Sequence, residues 1–209
     1  MPPDSTATKA RLLDAALNEF AEHGIAGARV DRIAEQAGAN KRLIYVYYGN
    51  KEQLFETVVG QALGELADAV PFTPDDPPGY AAALFDYLIA HPQLMRLGTW
   101  KLLERPEVVD AEVDAYRAKL EAIAHAQRAG HLSSALDPVD LLIFVLALAG
   151  AWFAASPALH SLAAQDPTSP ERLAAHRAAV VTAVRALTTA AAVPRAAAAT
   201  GAGRPREPA

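Results

Sequence analysis

Apolar residues recur every three or four positions along most of this chain, and no stretch shows a convincing alternation of period two. Such spacing gathers apolar side chains on one face of an α-helix, so the pattern predicts an all-α fold of about nine helices. Glycine, asparagine and proline residues mark where the helices end or begin. The expected helices cover about 7–23, 30–37, 41–47, 51–68, 79–90, 93–104, 107–129, 138–155 and 170–192.

We expect three segments along the chain. Residues 1–50 hold three helices and form a head, and residues 51–193 hold the remaining helices and form a body. Residues 194–209 are low in complexity and form a tail. The proline-rich stretch 71–79, PFTPDDPPG, is expected to be a loop or hinge inside the body.

Residues 30–47 fit two short helices joined by a tight turn, Ala37-Gly38-Ala39. Gly38 can take the positive φ that such a turn needs, and Asn40 can cap the second helix. This arrangement is typical of a helix-turn-helix, whose second helix enters the DNA major groove.

Helical spacing assigns faces to that second helix. Ile44 is expected to point inward, with Tyr47 and Tyr48 mainly packing on the same side. Tyr45 falls on the opposite side, with Lys41 four residues before it and Arg42 alongside. A tyrosine hydroxyl can donate to a phosphate, so Tyr45 is predicted to contact DNA.

The charge is uneven, although the net charge is only −5. Residues 29–51 hold five basic and two acidic residues, whereas residues 56–193 hold nine basic and sixteen acidic residues. A small basic patch on an acidic body suits a local contact with a polyanion and does not suit non-specific coating of nucleic acid.

Several classes of protein lose support. There is no cysteine, and the six histidines lack a metal-ligand spacing, so we expect no metal and no cofactor. No nucleophile motif or phosphate-binding glycine loop is found, so we expect no enzyme. The longest apolar run, 141–155, is shorter than a membrane span, and the N-terminus lacks a signal peptide, which predicts a cytoplasmic protein without membrane contact.

The chain resembles the TetR family of bacterial transcriptional regulators in two stretches, ATKARLLDAALNEFAEHG at 7–24 and RVDRIAEQAGANKRLIYVYYGNKEQLF at 29–55. The motifs that carry the resemblance are Ile-Ala-x-x-Ala-Gly at 33–38 and Tyr-x-Tyr-aromatic-x-x-Lys-Glu at 45–52. The resemblance implies a DNA-binding head on a body that binds a ligand and dimerises. It also implies a repressor that leaves its operator when a small molecule binds.

The resemblance also implies a set of DNA-binding positions. Leu43 stands where the family often has threonine, and it could contact a thymine methyl group. Arg29 stands where the family often has threonine or serine. Asn40 stands where the family usually has serine. The predicted DNA-binding residues are Lys9, Arg29, Asn40, Lys41, Arg42, Leu43, Tyr45 and Lys51.

In the body, residues 138–155 are apolar nearly all round, and a helix of this kind must be covered on every side. The resemblance implies that helices 138–155 and 170–192 pair with their copies in a homodimer. A buried helix in a monomer remains the alternative. A dimer would place two recognition helices about 34 Å apart and would therefore select an inverted repeat.

A pocket for an unknown small-molecule effector is expected between the middle helices, as in other helical bundles. Acidic residues at its wall, Asp86, Glu104 or Asp114, would favour a lipophilic cation. The candidate wall residues, each of which could equally be core, are Phe85, Leu88, Met95, Trp100, Tyr116, Leu120, Phe144 and Trp152.

Two other functions remain open at this point. An architectural DNA binder without an effector would bind DNA with a steep salt dependence and little sequence preference. A ligand-binding protein with a vestigial head would not bind DNA, although it would still dimerise.

Overall fold

Ten helices and no strand make up the part of the chain that the computed structural model describes, residues 5–108 and 110–189. This confirms the all-α prediction, with one helix more than expected. The predicted tail, residues 194–209, lies outside the described residues, and the last helix ends at Thr188 rather than near residue 192. The helices are α1 (Ser5–Gly27), α2 (Val30–Gln36), α3 (Lys41–Tyr48), α4 (Lys51–Ala69), α5 (Pro77–Ala90), α6 (Gln93–Glu104), α7 (Asp110–Arg128), α8 (Pro138–Ala154), α9 (Pro157–Ser161) and α10 (Pro170–Thr188).

α9 was not predicted, and α1, α5 and α7 begin at residues other than those expected. α9 is five residues long, too short for a periodic apolar pattern, and Ser156 caps it by accepting from the Ala158 N–H. α5 begins at Pro77 rather than at residue 79, because the Asp76 side chain accepts from Gly79 N–H and caps the helix. α7 begins at Asp110 rather than at residue 107.

The first apolar core joins α1, α2 and α3 to α4 and to Leu97 of α6. Phe20 of α1 and Phe55 of α4 meet edge to face, with ring centroids 5.1 Å apart. Such a pair adds about 0.5–1.5 kcal/mol to the gain from burial. Ile33 of α2 and Ile44 of α3 are fully buried beside them. The orientation of α3 is therefore fixed by apolar packing against three other helices.

The second apolar core lies in the body. Leu84 of α5, Ile123 of α7 and Leu141 of α8 are buried in it, together with Val180 and Val184 of α10. α5 packs against α8 and α10, and α7 packs against α8. The helices of this core come from distant parts of the sequence.

A kink in α1 connects the head to α6. α1 was predicted to stop at Gly24, and the backbone does leave helical geometry there, with φ +66° and ψ −176°. It then continues to Gly27, because the Glu104 carboxylate accepts hydrogen bonds from the freed N–H groups of Ile25 (2.6 Å) and Ala26 (3.2 Å). Glu104 therefore caps the second part of α1 from the end of α6.

Trp100 completes this junction. Its indole Nε1 donates to the carbonyl oxygen of Ala21 at 3.3 Å. The ring lies against Gly24 so closely that an added Cβ would stand 2.8 Å from it. α6 is thus attached to α1 by hydrogen bonds and close packing at the point where α1 bends.

Candidate nucleic-acid interface

The turn between α2 and α3 is held by polar contacts from both sides. Gly38 has φ +58°, as the turn requires. The Asn40 carboxamide oxygen accepts from the Arg42 N–H at 2.8 Å and caps α3, as predicted. Arg11 of α1 donates from Nε to the Ala37 carbonyl oxygen at 3.1 Å. These contacts fix where α3 leaves the turn.

The two faces of α3 agree with the spacing argument. Ile44 is completely buried, whereas Tyr45 is 47% exposed. The side chains of Lys41 and Arg42 are exposed beside Tyr45. Val46 is 63% exposed, so the outer face also offers an apolar contact. We call Lys41, Arg42, Tyr45 and Val46 the outer face of α3.

Tyr47 and Tyr48 are half-buried and connect α3 to α1. Their rings meet edge to face, with centroids 6.2 Å apart. The Tyr48 hydroxyl donates to the Lys9 carbonyl oxygen at 3.2 Å, and burial raises the pKa of that hydroxyl. The Lys9 ammonium lies 4.9 Å from the centre of the Tyr47 ring. α1 thereby places Lys9 beside the C-terminal end of α3.

Two of the predicted DNA-binding lysines already have partners within the head. Lys41 Nζ lies 2.7 Å from an oxygen of Asp31, and this hydrogen bond raises the pKa of Lys41. Lys51 Nζ donates to the Ala28 carbonyl oxygen at 3.3 Å and so attaches the start of α4 to the loop before α2. Both contacts lie at the protein surface or are partly exposed.

The other predicted positions differ in what they can offer to DNA. Within residues 5–108 and 110–189, Arg29 and Arg42 form no ion pair, and both are exposed. Leu43 is half-buried against the head core, so only part of it is available to a base. Asn40 uses its carboxamide oxygen in the cap, which leaves its NH₂ group for other contacts.

Glu19 has a role that the sequence analysis missed. Its carboxylate accepts from the backbone N–H of Arg29, the residue that precedes α2, at 2.7 Å and so satisfies one N–H at the start of that helix. It also accepts from Arg32 Nε at 2.9 Å. The available signal was position, because Glu19 falls on the apolar stripe of α1 between Ala16 and Phe20.

The environment keeps Glu19 charged although the residue is only 2% exposed. Burial by itself would raise the pKa of the carboxyl group, but the hydrogen bonds from Arg32 and from the Arg29 N–H hold the pKa below its ordinary value. The buried carboxylate thus fixes the start of α2 relative to α1.

A cavity of about 480 Å³ lies in the body between α4, α5 and α7, with the end of α6 at its rim. Of the eight predicted wall residues, Tyr116 lines it. α4 contributes more wall residues than any other helix, including Val59, Leu63 and Leu66. Gly60 and Gly64, four residues apart on the same helix face, leave room beside them. This glycine pair was the available sequence signal for the cavity.

The seven other predicted wall residues lie elsewhere. Phe85 and Leu88 are buried in the body, and Leu120 and Met95 pack partly buried against its core. Trp100 lies at the α1 kink. Two sit nearer the surface, where Phe144 is 44% exposed and Trp152 stacks on His160 with ring centroids 4.2 Å apart.

The acids expected to favour a cationic ligand are also engaged elsewhere. Asp86 accepts from Arg177 Nε at 2.8 Å, and Asp114 pairs with Arg117. Glu104 caps the second part of α1. None of the three lines the 480 Å³ cavity. The structure therefore removes the basis for the cation hypothesis.

One face of α8 remains exposed in the single chain. Its exposed apolar side chains include Val139 (47%), Ile143 (53%) and Phe144 (44%). On α10, Val180 and Val184 are buried in the chain's own core, so only the outward side of that helix is available to a partner.

Among the described residues, no group of three or more histidine, aspartate or glutamate side chains is placed to hold a metal ion. None of the helices described is both long enough and apolar enough to cross a membrane.

Comparison with known proteins places these features in a family. A family profile described as bacterial regulatory proteins, tetR family, matches residues 12–58, and one described as tetracyclin repressor-like, C-terminal domain, matches residues 76–186. The first match covers the turn and α3. The second covers the helices from α5 into α10.

Individual relatives agree with the profiles. The HTH-type transcriptional repressor SCO4008 of Streptomyces coelicolor is 45% identical over 151 residues, 70% of this chain and 78% of that protein. The regulator RutR of Escherichia coli K12 is 30% identical over 68% of this chain and 72% of its own length. The crystal structure of SCO4942 from Streptomyces coelicolor superposes with a TM-score of 0.78 at 41% identity, over 87% of this chain and 98% of that one.

The chain therefore belongs to the TetR family of bacterial transcriptional regulators. The prediction of a helix-turn-helix DNA-binding regulator is confirmed, and ligand-responsive repression is typical of this family.

Proposed function

We propose that this protein is a homodimeric repressor that binds an inverted repeat through the outer face of α3 and is released by a small molecule in the body cavity. The observation that carries the proposal is the outer face itself. Lys41, Arg42 and Tyr45 project together from a helix that the head core and the turn hold firmly. Its place of action would be the cytoplasm, where bacterial DNA lies.

The side chains suit different parts of a DNA duplex. Arg42 and Lys41 can donate to base edges or phosphates in the major groove, and Tyr45 can place its hydroxyl on a phosphate. Lys9 and Arg29 reach from α1 and from the start of α2 and suit phosphates. Lys41 must leave Asp31 to make its contact, so this residue exchanges one anionic partner for another.

The exposed face of α8 supports the homodimer. Val139, Ile143 and Phe144 form an apolar surface that the chain does not cover by itself. Pairing of α8 and the outward side of α10 with their copies would cover it. Two heads joined in this way would contact half-sites about one DNA turn, roughly 34 Å, apart.

The positions of α4 and α6 support coupling between the cavity and the heads. α4 contributes more of the cavity wall than any other helix, and its first residue, Lys51, donates a hydrogen bond to the Ala28 carbonyl oxygen in the head. α6 reaches the cavity rim through Lys101 and is attached to α1 through Trp100 and Glu104. A ligand that binds better when these helices are displaced would shift the equilibrium away from the DNA-binding state.

Selection of bound fragments from a genomic or random DNA library, with purified protein at moderate salt, tests this function. We expect enrichment of one inverted repeat whose half-sites are about a turn apart. Weak binding without enrichment, but with steep salt dependence, would instead identify an architectural DNA binder. Absence of any binding by a protein that still dimerises would identify a vestigial head.

A further inference from the structure

The wall of the body cavity is mostly apolar along α4. Val59, Leu63 and Leu66 line it, and Gly60 and Gly64 add no side chains to fill the space. The volume of about 480 Å³ lies within the range of roughly 300–1,000 Å³ found for small-molecule sites. An aliphatic or other apolar group of a ligand would be desolvated here.

One cationic side chain reaches this cavity without a carboxylate partner. Lys119 of α7 forms no ion pair with any residue in the described part of the chain. Its Nζ lies 3.4 Å from the Tyr80 hydroxyl, and 5.7 Å and 5.8 Å from the ring centres of Tyr80 and Tyr116. Burial lowers the pKa of Lys119, because the partly buried ammonium loses part of its hydration.

Tyr80 offers a second donor at the same place. Its hydroxyl is in a side chain that is only 5% exposed, and it accepts from Lys119. Among the described residues, its own hydrogen has no acceptor. The hydroxyl hydrogen and the lysine ammonium therefore form two adjacent donors inside the cavity without an anion between them.

The remaining charged groups at the cavity are paired with one another. Lys101 Nζ lies 2.8 Å from a carboxylate oxygen of Glu112. Arg105 lies between Glu56 at 2.5 Å and Glu107 at 3.5 Å, at the exposed end of the cavity. Each of these three carboxylates thus has Lys101 or Arg105 within 3.5 Å, with Arg105 shared by two of them, whereas Lys119 pairs with none of the three.

We propose that the effector of this protein is an amphiphilic anion, whose carboxylate binds Lys119 and Tyr80 and whose apolar tail lies against α4. The inference rests on the proposed function in treating this cavity as the effector site. One ammonium and one hydroxyl match the two oxygens of a carboxylate. A cationic ligand is disfavoured, because Lys119 itself occupies the position between the two tyrosine rings.

Calorimetry with the full-length protein and four decyl compounds tests this assignment. Each compound is used below its critical micelle concentration. They are decanoate, decyl phosphate, decanol and decyltrimethylammonium, which share a tail and differ in head group. We expect decanoate to bind at least about tenfold more tightly than decanol, as a charge-assisted hydrogen bond in a partly buried site would give. We expect decyltrimethylammonium to bind more weakly than decanol.

Variants show whether Lys119 is responsible. In Lys119→Met the preference for decanoate over decanol should disappear, while decanol binds as before. Lys119→Arg, which keeps the charge, should retain the preference. The double variant Lys101→Met, Glu112→Gln is the matched control, because it removes a paired lysine from the same cavity without changing the net charge. It should also retain the preference.

The outcomes separate the ligand class from the function. Tighter binding of the cation, equal binding of decanoate and decanol, or no binding of any compound would overturn the proposed class. So would an unchanged preference in Lys119→Met. Preferred binding of decyl phosphate would keep Lys119 as the anion site but replace carboxylate by phosphate. If decanoate binds through Lys119 without releasing operator DNA, the class stands and the proposed role of the cavity as the effector site fails.

Discussion

The functional surfaces of the head and the body differ in how far apart in the sequence their residues lie. In the head, residues a few positions apart on α3 form the surface that faces outward, and Asn40 caps the helix that it precedes. In the body, the cavity is assembled from α4, α5, α6 and α7. The head's surface can therefore be derived from helical spacing, whereas the cavity's contents depend on how distant helices meet.

Polar groups also serve the two regions differently. Glu19 in the head is buried and accepts hydrogen bonds from Arg29 and Arg32, on or next to α2. Its charge therefore holds α2 in place against α1. Lys119 in the body is half-buried and has a hydroxyl partner but no carboxylate, so its charge is left for a ligand. A satisfied buried charge indicates structure, and an unmatched charge in a cavity indicates binding.

The largest expected effect comes where the two regions join. Gly24→Ala would place a Cβ 2.8 Å from the Trp100 ring and force a side chain onto φ +66°. We expect it to lower the free energy of unfolding by about 3 kcal/mol, measured by urea denaturation. Gly38→Ala is the matched control, because Gly38 has φ +58° with nothing within 4 Å of its added Cβ. It should cost only about 1 kcal/mol. Equal losses would show that the α1–α6 junction is not tightly packed.

A smaller effect is expected from the buried charge of the head. Glu19→Gln should lower the free energy of unfolding by about 2 kcal/mol at pH 7, since it weakens hydrogen bonds to a charged acceptor. The folded state holds the pKa of Glu19 below 4.5, so this stabilisation is present above pH 4.5 and is lost as pH falls through the folded pKa. The difference between variant and parent, followed by denaturation against pH, should therefore shrink in acid.

Glu22→Gln provides the comparison for that measurement. Glu22 lies on the same helix, and its side chain is 67% exposed. Its replacement should change the free energy of unfolding by less than about 0.5 kcal/mol at any of these pH values. If both variants lose the same amount, Glu19 is not a buried anchor of α2.

The smallest effect concerns the ion pair that Lys41 must leave. Asp31→Asn removes this partner and one negative charge near the DNA-binding face. We expect operator affinity to rise about two- to fivefold at low salt, and the gain to decrease as salt is added. Glu35→Gln removes a charge from another exposed position of α2 and should gain less. Equal gains would mean that only net charge matters.

The sequence predicted most of the fold, because long apolar stripes and caps define their helices locally. It missed α9, which is shorter than two turns, and it ended α1 too early at Gly24. That second error has a long-range cause, since Glu104, 79 residues after Ile25, supplies the cap that lets α1 continue. A local reading of glycine as a helix end could not include this partner.

The same distinction applies to the candidate sites. Spacing alone assigned Ile44 to the inside and Tyr45 to the outside of α3, and the structure agrees. For the cavity, large aliphatic and aromatic residues were chosen by type, and only Tyr116 of the eight lies at its wall. Apolar type cannot distinguish core from cavity wall. The cavity is marked instead by Gly60 and Gly64 of α4, which leave space, and by Lys119 of α7, whose charge has no carboxylate partner among the described residues.

The most direct test of the account is the operator affinity of Tyr45→Ala beside that of Tyr48→Phe, measured on the selected duplex and on a scrambled one. Tyr45→Ala should bind the selected duplex about tenfold or more weakly, with an unchanged free energy of unfolding. Tyr48→Phe loses the hydrogen bond to Lys9 and should lower stability by about 0.5–1.5 kcal/mol while operator affinity stays within about twofold. Parent-like operator affinity of Tyr45→Ala would contradict the claim that the outer face of α3 binds DNA.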